Sequence, residues 1–218
     1  MTAILRPRAL VLDMDGLLVD SEPLWCEVER DFARARGGSW TAELAAACTG
    51  KGLANTLRVM SNELHITVDL EHDALVIVES FIARASELVL KPGARELIDV
   101  SIARRIPIAL GSSSASRLVR AVLERFELTA SFAVIVSGDD VAHTKPAPDI
   151  FLKAAALLGV APSDCVVLED SLAGVTAGRA AVMQVIAVPE GESRGRGFET
   201  VADHVVSNLH EARRLLGW

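Results

Sequence analysis

The residues best suited to chemistry in this sequence are a few carboxylates, hydroxyls and one ammonium group that follow short apolar runs. They are Asp13, Asp15, Ser112, Ser113, Ser114, Lys145, Glu169 and Asp170. Clustered carboxylates repel one another and each is costly to remove from water, so bringing them together would favour a bound divalent cation. Hard oxygen ligands suit magnesium. The acidic members of the set therefore predict a Mg²⁺ site.

The other members of the set fit phosphoryl transfer at such a metal. A metal-bound carboxylate can attack phosphorus and form an aspartyl phosphate. A second acid two residues farther along, as Asp15 is from Asp13, can protonate the leaving oxygen and then deprotonate water. A serine hydroxyl, backbone N–H groups and a lysine can hold the phosphoryl oxygens while charge spreads over them.

The elements that must position these residues are short strands that alternate with helices. The apolar runs are rich in β-branched residues and apolar on both faces, which is typical of buried parallel strands. We predict these strands at 9–13, 106–112, 132–140, 165–171 and 183–189. Amphipathic helix patterns lie at 93–104, 115–126, 148–159, 171–181 and 208–216. The alternation predicts a doubly wound α/β sheet, and ligands of such sheets bind beyond the carboxyl ends of the strands.

One interval interrupts this alternation, because residues 21–90 contain helical patterns and no convincing strand. We therefore predict a small all-helical domain over 21–90, inserted after the first strand into a catalytic core formed by 1–20 and 91–218. The stretch PEGESRGRGF at 189–198 is rich in Gly, Arg and Glu, and it predicts a mobile surface loop.

Composition excludes several functional classes. The 22 basic and 29 acidic residues give a net charge of −7, which argues against binding to nucleic acids or anionic membranes because both need clustered cations. A small anionic substrate remains compatible with a locally positive pocket. The three cysteines lie far apart without a CxxC motif, so neither a disulfide framework nor a zinc site is expected. Arg6, Pro7 and Arg8 stand where a signal peptide would need its apolar run. No apolar stretch approaches the roughly 18 residues of a membrane span, and we expect a cytoplasmic protein.

Four stretches of the chain, taken in order, resemble the four motifs of the haloacid dehalogenase superfamily. They are DMDGLLVDSEP from residue 13, LGSSS from 110, TKPAPDIF from 144 and LEDSLAG from 168. The chain is most similar to the β-phosphoglucomutase-like branch, in which a helical cap is inserted after the first motif. The resemblance covers the whole chain, and the ordered set is far more specific than a DxD pair alone.

The resemblance implies a role for each residue at a matching position. Asp13 would be the nucleophile and a magnesium ligand. Asp15 would be the acid and base, and its backbone carbonyl would also bind the metal. Ser112 and Lys145 would bind the transferring phosphoryl group, and Lys145 would also restrain Asp13. The original dehalogenases lack the second acid, so Asp15 favours phosphate chemistry.

Four further residues complete the predicted site. Asp170, with Glu169 beside it, would complete the metal site either directly or through water. Ser113 is predicted to bind substrate. Ser112 to Ser114 are also expected to cap the helix that begins at about residue 115, and this role is compatible with phosphate binding at the helix N-terminus. Lys51 lies between two glycines in TGKGLANT and could reach the substrate, but an ordinary exposed lysine is an equally good interpretation.

Two enzyme activities share this chemistry, because the aspartyl phosphate can pass its phosphoryl group to water or to another sugar hydroxyl. β-Phosphoglucomutases typically carry a cap histidine where this chain has Trp25, and a cap-loop arginine where it has Lys51. The run DSEPLW instead resembles the sugar-phosphate phosphatases of the branch, including the 2-deoxyglucose-6-phosphatase type. We therefore favour a Mg²⁺-dependent phosphatase acting on a small phosphorylated metabolite such as a sugar phosphate, with a phosphosugar mutase as the alternative.

A non-enzymatic alternative is a signalling receiver, which also places a phosphoacceptor aspartate, a Ser/Thr and a lysine on a doubly wound sheet. The chain length and the helical insertion argue against it. A phosphate-binding protein without turnover is also disfavoured, because no motif residue is missing. The branch gives a monomer as the default expectation.

Overall fold

The computed structural model describes residues 5–48, 52–189 and 197–218. The chain divides into two compact units, Met1–Asp20 with Val89–Trp218 and Ser21–Leu88. The first unit contains a parallel sheet with its helices, and the described part of the second unit contains helices without strands. In the described ranges, no helix is both long and apolar enough to cross a membrane.

The sheet of the first unit has six parallel strands in the order β3-β2-β1-β4-β5-β6. The strands are β1 (Ala9–Leu12), β2 (Ile108–Gly111), β3 (Val134–Val136), β4 (Cys165–Glu169), β5 (Gln184–Ala187) and β6 (His204–Val205). Leu10 of β1 pairs with Ile108 on one side and with Val166 on the other. The strand order reverses beside β1, and such a switch point is where open α/β sheets form a ligand crevice.

The predicted strands are all present, but they are shorter than the apolar runs, and a sixth strand was not predicted. Strand β6 has only two residues, which is too short for a recognisable apolar run. The expectation that every strand is buried is wrong for β3, since Ile135 keeps 36% of its surface exposed. Strand β3 lies at the edge of the sheet, where neighbours cover fewer of its side chains.

Five helices accompany these strands, and each lies within two residues of its predicted bounds. They are α5 (Ala94–Ala103), α6 (Ser116–Arg125), α7 (Asp149–Leu158), α8 (Leu172–Ala180) and α9 (Leu209–Leu215). Helix α7 packs against β1, β2 and β3, and α8 packs against β4 and β5. A side chain at Gly111 would press on Ile150 and Phe151, so the glycine lets α7 approach the end of β2. Both of these α7 residues are fully buried.

The second unit is built from helices α1 (Glu22–Ala35), α2 (Ala42–Cys48), α3 (Leu53–Leu64) and α4 (Leu70–Ala83). Its buried core includes Leu57, Met60, Ile77 and Phe81. The carboxylate of Asp73 is also buried, and Arg36 forms an ion pair with it. The predicted division into a core at 1–20 and 91–218 and a helical domain at 21–90 stays a prediction.

Two predicted features fall wholly or partly outside the described residues. Lys51 is one, and residues 190–196 of the predicted surface loop are the other. The end of that loop is described: Phe198 is buried and begins a short 3-10 turn, Phe198–Thr200. The prediction of a surface loop is therefore wrong at this position, because an aromatic side chain joins the core of the first unit.

Candidate active site

Asp13 follows β1 at the switch point of the sheet. Its backbone N–H donates to the carbonyl of Leu168 at 3.1 Å, so the residue continues the pairing of β1 with β4. Its side chain is almost completely buried. A buried carboxylate at this place needs a cationic partner, because desolvation of an unpaired charge is costly.

Lys145 supplies the cationic partner from the loop before α7. Its Nζ donates to Oδ1 of Asp13 and, at 2.5 Å, to Oε1 of Glu169. Only 6% of the Lys145 side chain is exposed, and Nζ lies 4.9 Å above the ring of Phe151. The structure thus brings together two predicted metal ligands and the predicted phosphate-binding lysine.

Glu169 is held by contacts at both carboxylate oxygens. While Oε1 accepts from Lys145, Oε2 accepts from the backbone N–H of Ser171 at 3.0 Å and from its hydroxyl at 2.9 Å. The Ser171 hydroxyl in turn accepts from the N–H of Gly174 at 3.0 Å and caps α8. A Cβ on Gly174 would overlap the Glu169 carboxylate, so the glycine makes room for it.

Asp170 lies against the turn that follows β1. A Cβ on Gly16 would overlap the Asp170 carboxylate, and Gly16 also has a φ of +79°, which favours glycine. The Oδ1 atom of Asp170 is buried and has no hydrogen-bond partner among residues 5–48, 52–189 and 197–218. A buried and unpaired carboxylate oxygen of this kind is suited to binding a metal ion, since buried polar atoms are otherwise paired.

These carboxylates form a cluster that fits a metal ion. Asp13, Glu169 and Asp170 each offer an oxygen, and the three atoms lie within 4.8 Å of one another. The donors are all hard oxygens. One of the three residues, Asp170, has a carboxylate oxygen with no hydrogen-bond partner in the described part of the chain. This donor set suits a divalent cation such as magnesium.

The pKa shifts of the clustered residues also favour a bound divalent cation. Burial, followed by the charge of Glu169, raises the pKa of Asp13 despite its contact with Lys145. The same two causes raise the pKa of Asp170 well above its ordinary value. Burial alone would lower the pKa of Lys145, but the charges of Asp13 and Glu169 outweigh it and raise that pKa. One ammonium group is therefore too little positive charge for this many buried acids, and a divalent cation would keep them ionised.

Ser112, Ser113 and Ser114 form the loop that follows β2, and this serine loop lies beside the acidic cluster. Ser112 is buried, and its hydroxyl accepts from the N–H of Ser114 at 3.0 Å. The hydroxyl of Ser114 donates to Oδ2 of Asp15 at 2.8 Å, so the loop after β2 touches the turn after β1. Ser113 is exposed, and its carbonyl lies where a Cβ on Gly138 would stand.

The expectation that these serines also cap the next helix is wrong. Helix α6 begins at Ser116, whose backbone N–H donates to Oδ2 of Asp139 at 2.8 Å. The capping carboxylate comes from the loop after β3, and sequence spacing carries no signal for that pairing. Because Asp139 accepts the hydrogen bond from the first N–H of the helix, the Ser114 hydroxyl is not needed as a cap and donates to Asp15 instead.

Three residues that shape the site were not predicted from the sequence. Gly16, Ser171 and Gly174 hold or make room for the acidic residues, although none carries a charge. A serine placed directly before an expected helix is a capping signal and could have identified Ser171. Nothing in the local sequence indicates which carboxylate a glycine must accommodate.

Comparisons with known proteins agree with the geometry. The family model of haloacid dehalogenase-like hydrolases matches residues 7–181. The chain is 34% identical over 232 residues to hexitol phosphatase B of Escherichia coli K12, covering 96% of each chain. It is 35% identical over 180 residues to a phosphorylated carbohydrates phosphatase of Thermotoga maritima, covering 82% of this chain and 83% of that one. The crystal structure of CbbY from Rhodobacter sphaeroides in complex with phosphate has a TM-score of 0.87 and 27% identity, over 97% of this chain and 100% of that one.

Proposed function

Since this chain belongs to the haloacid dehalogenase-like hydrolase family, we propose that it is a Mg²⁺-dependent phosphatase of phosphorylated carbohydrates that works through an aspartyl phosphate on Asp13. It is a phosphoric monoester hydrolase. The observation that carries the proposal is the buried contact of Lys145 with both Asp13 and Glu169, beside the unpartnered oxygen of Asp170. That arrangement combines a nucleophile, a cation for phosphoryl oxygens and a metal-binding edge.

The metal would be held by Asp13 and Asp170, with Glu169 beside them and the backbone carbonyl of Asp15 as a further ligand. When bound, the cation would neutralise charge on the phosphoryl oxygens and on the carboxylates. Glu169 has both oxygens engaged by protein donors, which favours a contact with the metal through water.

In the first half of the reaction, a carboxylate oxygen of Asp13 attacks phosphorus. The bond between phosphorus and the sugar oxygen breaks, and Asp15 gives its proton to that oxygen. In the second half, Asp15 takes a proton from water while the water oxygen attacks phosphorus. The bond between phosphorus and Asp13 then breaks, and inorganic phosphate leaves with Asp13 restored.

Lys145 and Ser112 would hold the phosphoryl group during both halves. The Lys145 ammonium group is fixed by two carboxylates and therefore needs little reorganisation when charge develops on the phosphoryl oxygens. Ser112 lies at the end of β2 and Ser113 is exposed beside it, so we propose both as substrate-binding residues. Lys51 stays a predicted substrate-binding residue.

The substrate class rests on the relatives. Hexitol phosphatase B and the phosphorylated carbohydrates phosphatase are both named for phosphorylated carbohydrates, and they cover most of this chain. We propose a substrate of that chemistry, and we further expect a cytoplasmic monomer that binds neither nucleic acid nor membrane. The absence of disulfides among the described cysteines is compatible with a reducing compartment.

Phosphorus NMR of the protein with Mg²⁺ and a panel of hexose, pentose and hexitol phosphates tests this function. We expect inorganic phosphate to appear with wild-type protein and not with Asp13→Asn, whose amide is near-isosteric and a poor nucleophile. The panel includes β-glucose 1-phosphate, because its conversion to glucose 6-phosphate with little free phosphate would establish the mutase instead. If neither inorganic phosphate nor glucose 6-phosphate appears with any panel member, the proposed function is refuted.

A further inference from the structure

A hydrogen bond between Ser114 and Asp15 joins two loops of the first unit. The Ser114 hydroxyl donates to Oδ2 of Asp15 at 2.8 Å, across a sequence separation of 99 residues. Ser114 follows β2, and Asp15 follows the neighbouring strand β1. The contact therefore belongs to the folded sheet edge and could not form in a short segment of the chain.

The backbone of Ser114 is fixed on both sides. Its N–H donates to the hydroxyl of Ser112 at 3.0 Å, and its carbonyl accepts from the N–H of Gly138 at 2.9 Å. A Cβ on Gly138 would overlap the carbonyl of Ser113, so only glycine lets the loop after β3 come this close. Ser114 is thus held in place before its side chain reaches Asp15.

We propose that Ser114 is a positioning residue, whose hydroxyl orients the Asp15 carboxylate for proton transfer. This inference rests on the proposed function, in which Asp15 protonates the leaving oxygen and later deprotonates water. An aspartate in a turn can rotate about two side-chain bonds, and a donated hydrogen bond to a charged oxygen restricts that rotation. Small errors in the position of a catalytic group cost a large part of its rate contribution. Ser114 has no predicted role in binding the phosphoryl group, which falls to Ser112 and Lys145.

The dependence on the leaving group separates this role from a merely structural one. Sorbitol 6-phosphate and fructose 1-phosphate release an alkoxide that needs a proton, whereas p-nitrophenyl phosphate releases a stable phenolate. Loss of Asp15 orientation should therefore lower kcat/KM for the sugar phosphates and largely spare p-nitrophenyl phosphate. A general loss of folding or metal binding would lower both by the same factor.

The experiment measures kcat/KM for both substrate types in five variants, counting Asp15→Asn alone and Asp15→Asn combined with Ser114→Ala. In Ser114→Ala we expect a loss of about tenfold or more for the sugar phosphate and about threefold or less for p-nitrophenyl phosphate. Ser114→Thr keeps the hydroxyl and should restore the ratio. Ser116→Ala removes a nearby hydroxyl that bonds Ser137 at 2.6 Å and should leave the ratio unchanged. In an Asp15→Asn background, the ratio comes from the rate of the first half-reaction in a single turnover. Ser114→Ala should cause no further change in that ratio, because the residue it orients is gone.

Equal losses for both substrates in Ser114→Ala, or a further change of the ratio in the Asp15→Asn background, would overturn the inference. If the alanine protein does not fold, Ser114→Cys tests the same ratio with nearly the same volume and a weaker donor. The proposed function fails separately: its failure would appear as wild-type protein that hydrolyses no phosphate ester, or as Asp15→Asn without any leaving-group dependence.

Discussion

The ammonium group of Lys145 lies 2.5 Å from the carboxylate of Glu169, and both side chains are almost completely buried. Lys145 also pairs with Asp13, which follows the adjacent strand. The Lys145 ammonium group thereby links the carboxyl ends of β1 and β4, at the place where the strand order reverses. We therefore expect the site to stabilise the fold as well as to serve catalysis, and we expect that adding or removing metal separates the two roles.

Lys145→Met should destabilise the protein most strongly in chelator. The change leaves buried carboxylates without their cation, and we expect a loss of about 3 kcal/mol in the free energy of unfolding. Mg²⁺ should recover part of it, because the metal replaces the missing positive charge. Denaturant unfolding with EDTA and with Mg²⁺ measures both values. Lys153→Ala is the control, since that lysine is 40% exposed and its ion pair with Asp140 is long, at 3.7 Å. Equal losses of stability with and without Mg²⁺ would show that the metal does not replace the positive charge of Lys145.

Mg²⁺ should stabilise the protein more at alkaline than at acidic pH. Burial, followed by the charge of Glu169, raises the pKa of Asp13 and Asp170 above the ordinary 3.8. The metal-free folded state therefore holds protons more tightly than the unfolded chain, and its stability falls as pH rises above that value. Mg²⁺ competes with these protons, so its binding strengthens over the same range. Melting temperatures with and without Mg²⁺ should diverge between about pH 6 and about pH 8.5, and a difference that shrinks over this range would be inconsistent with the site.

Gly16→Ala should abolish the response to Mg²⁺. The new Cβ would overlap the Asp170 carboxylate and displace the metal-binding edge. Gly159→Ala is a matched control, because Gly159 has a φ of +67° and a Cβ there would meet nothing within 4 Å. Both variants should lose about 1–2 kcal/mol from backbone strain. Only Gly16→Ala should also lose stabilisation by Mg²⁺ and phosphatase activity, and a Mg²⁺ response retained by this variant would remove Asp170 from the metal site.

Ser171→Ala should lower both stability and activity. Ser171 caps α8 and donates two hydrogen bonds to Glu169. Loss of the Ser171 hydroxyl would therefore loosen the carboxylate that holds Lys145. One of these two bonds comes from the backbone and survives the substitution. Asn208→Ala removes the corresponding cap of α9, where the amide accepts from Glu211 at 3.0 Å. Each variant should lose about 1 kcal/mol of stability. We expect kcat to fall only in Ser171→Ala, and equal kcat values in the two variants would limit Ser171 to helix capping.

The sequence predicts the sheet well because each buried strand is an apolar run. Asp13 and Ser112 directly follow such runs, so local patterns indicate where their side chains lie, whereas Lys145 lies farther along the loop after β3. The order of the strands is set by packing, so the exposed edge position of Ile135 has no local signal. The same applies to long-range side-chain pairing: the cap of α6 by Asp139 and the contact of Ser114 with Asp15 appear only when the loops are brought together.

The proposed mechanism requires a phosphoryl group on Asp13, and trapping this group tests that requirement. Asp15→Asn protein lacks the base for the second half-reaction but should still accept phosphate from p-nitrophenyl phosphate, which needs no acid. After acid quenching, peptide mapping by mass spectrometry should find one phosphoryl group on the peptide that contains Asp13, and none in the Asp13→Asn/Asp15→Asn protein. A phosphoryl group on another residue, or turnover by the double variant, would contradict the mechanism.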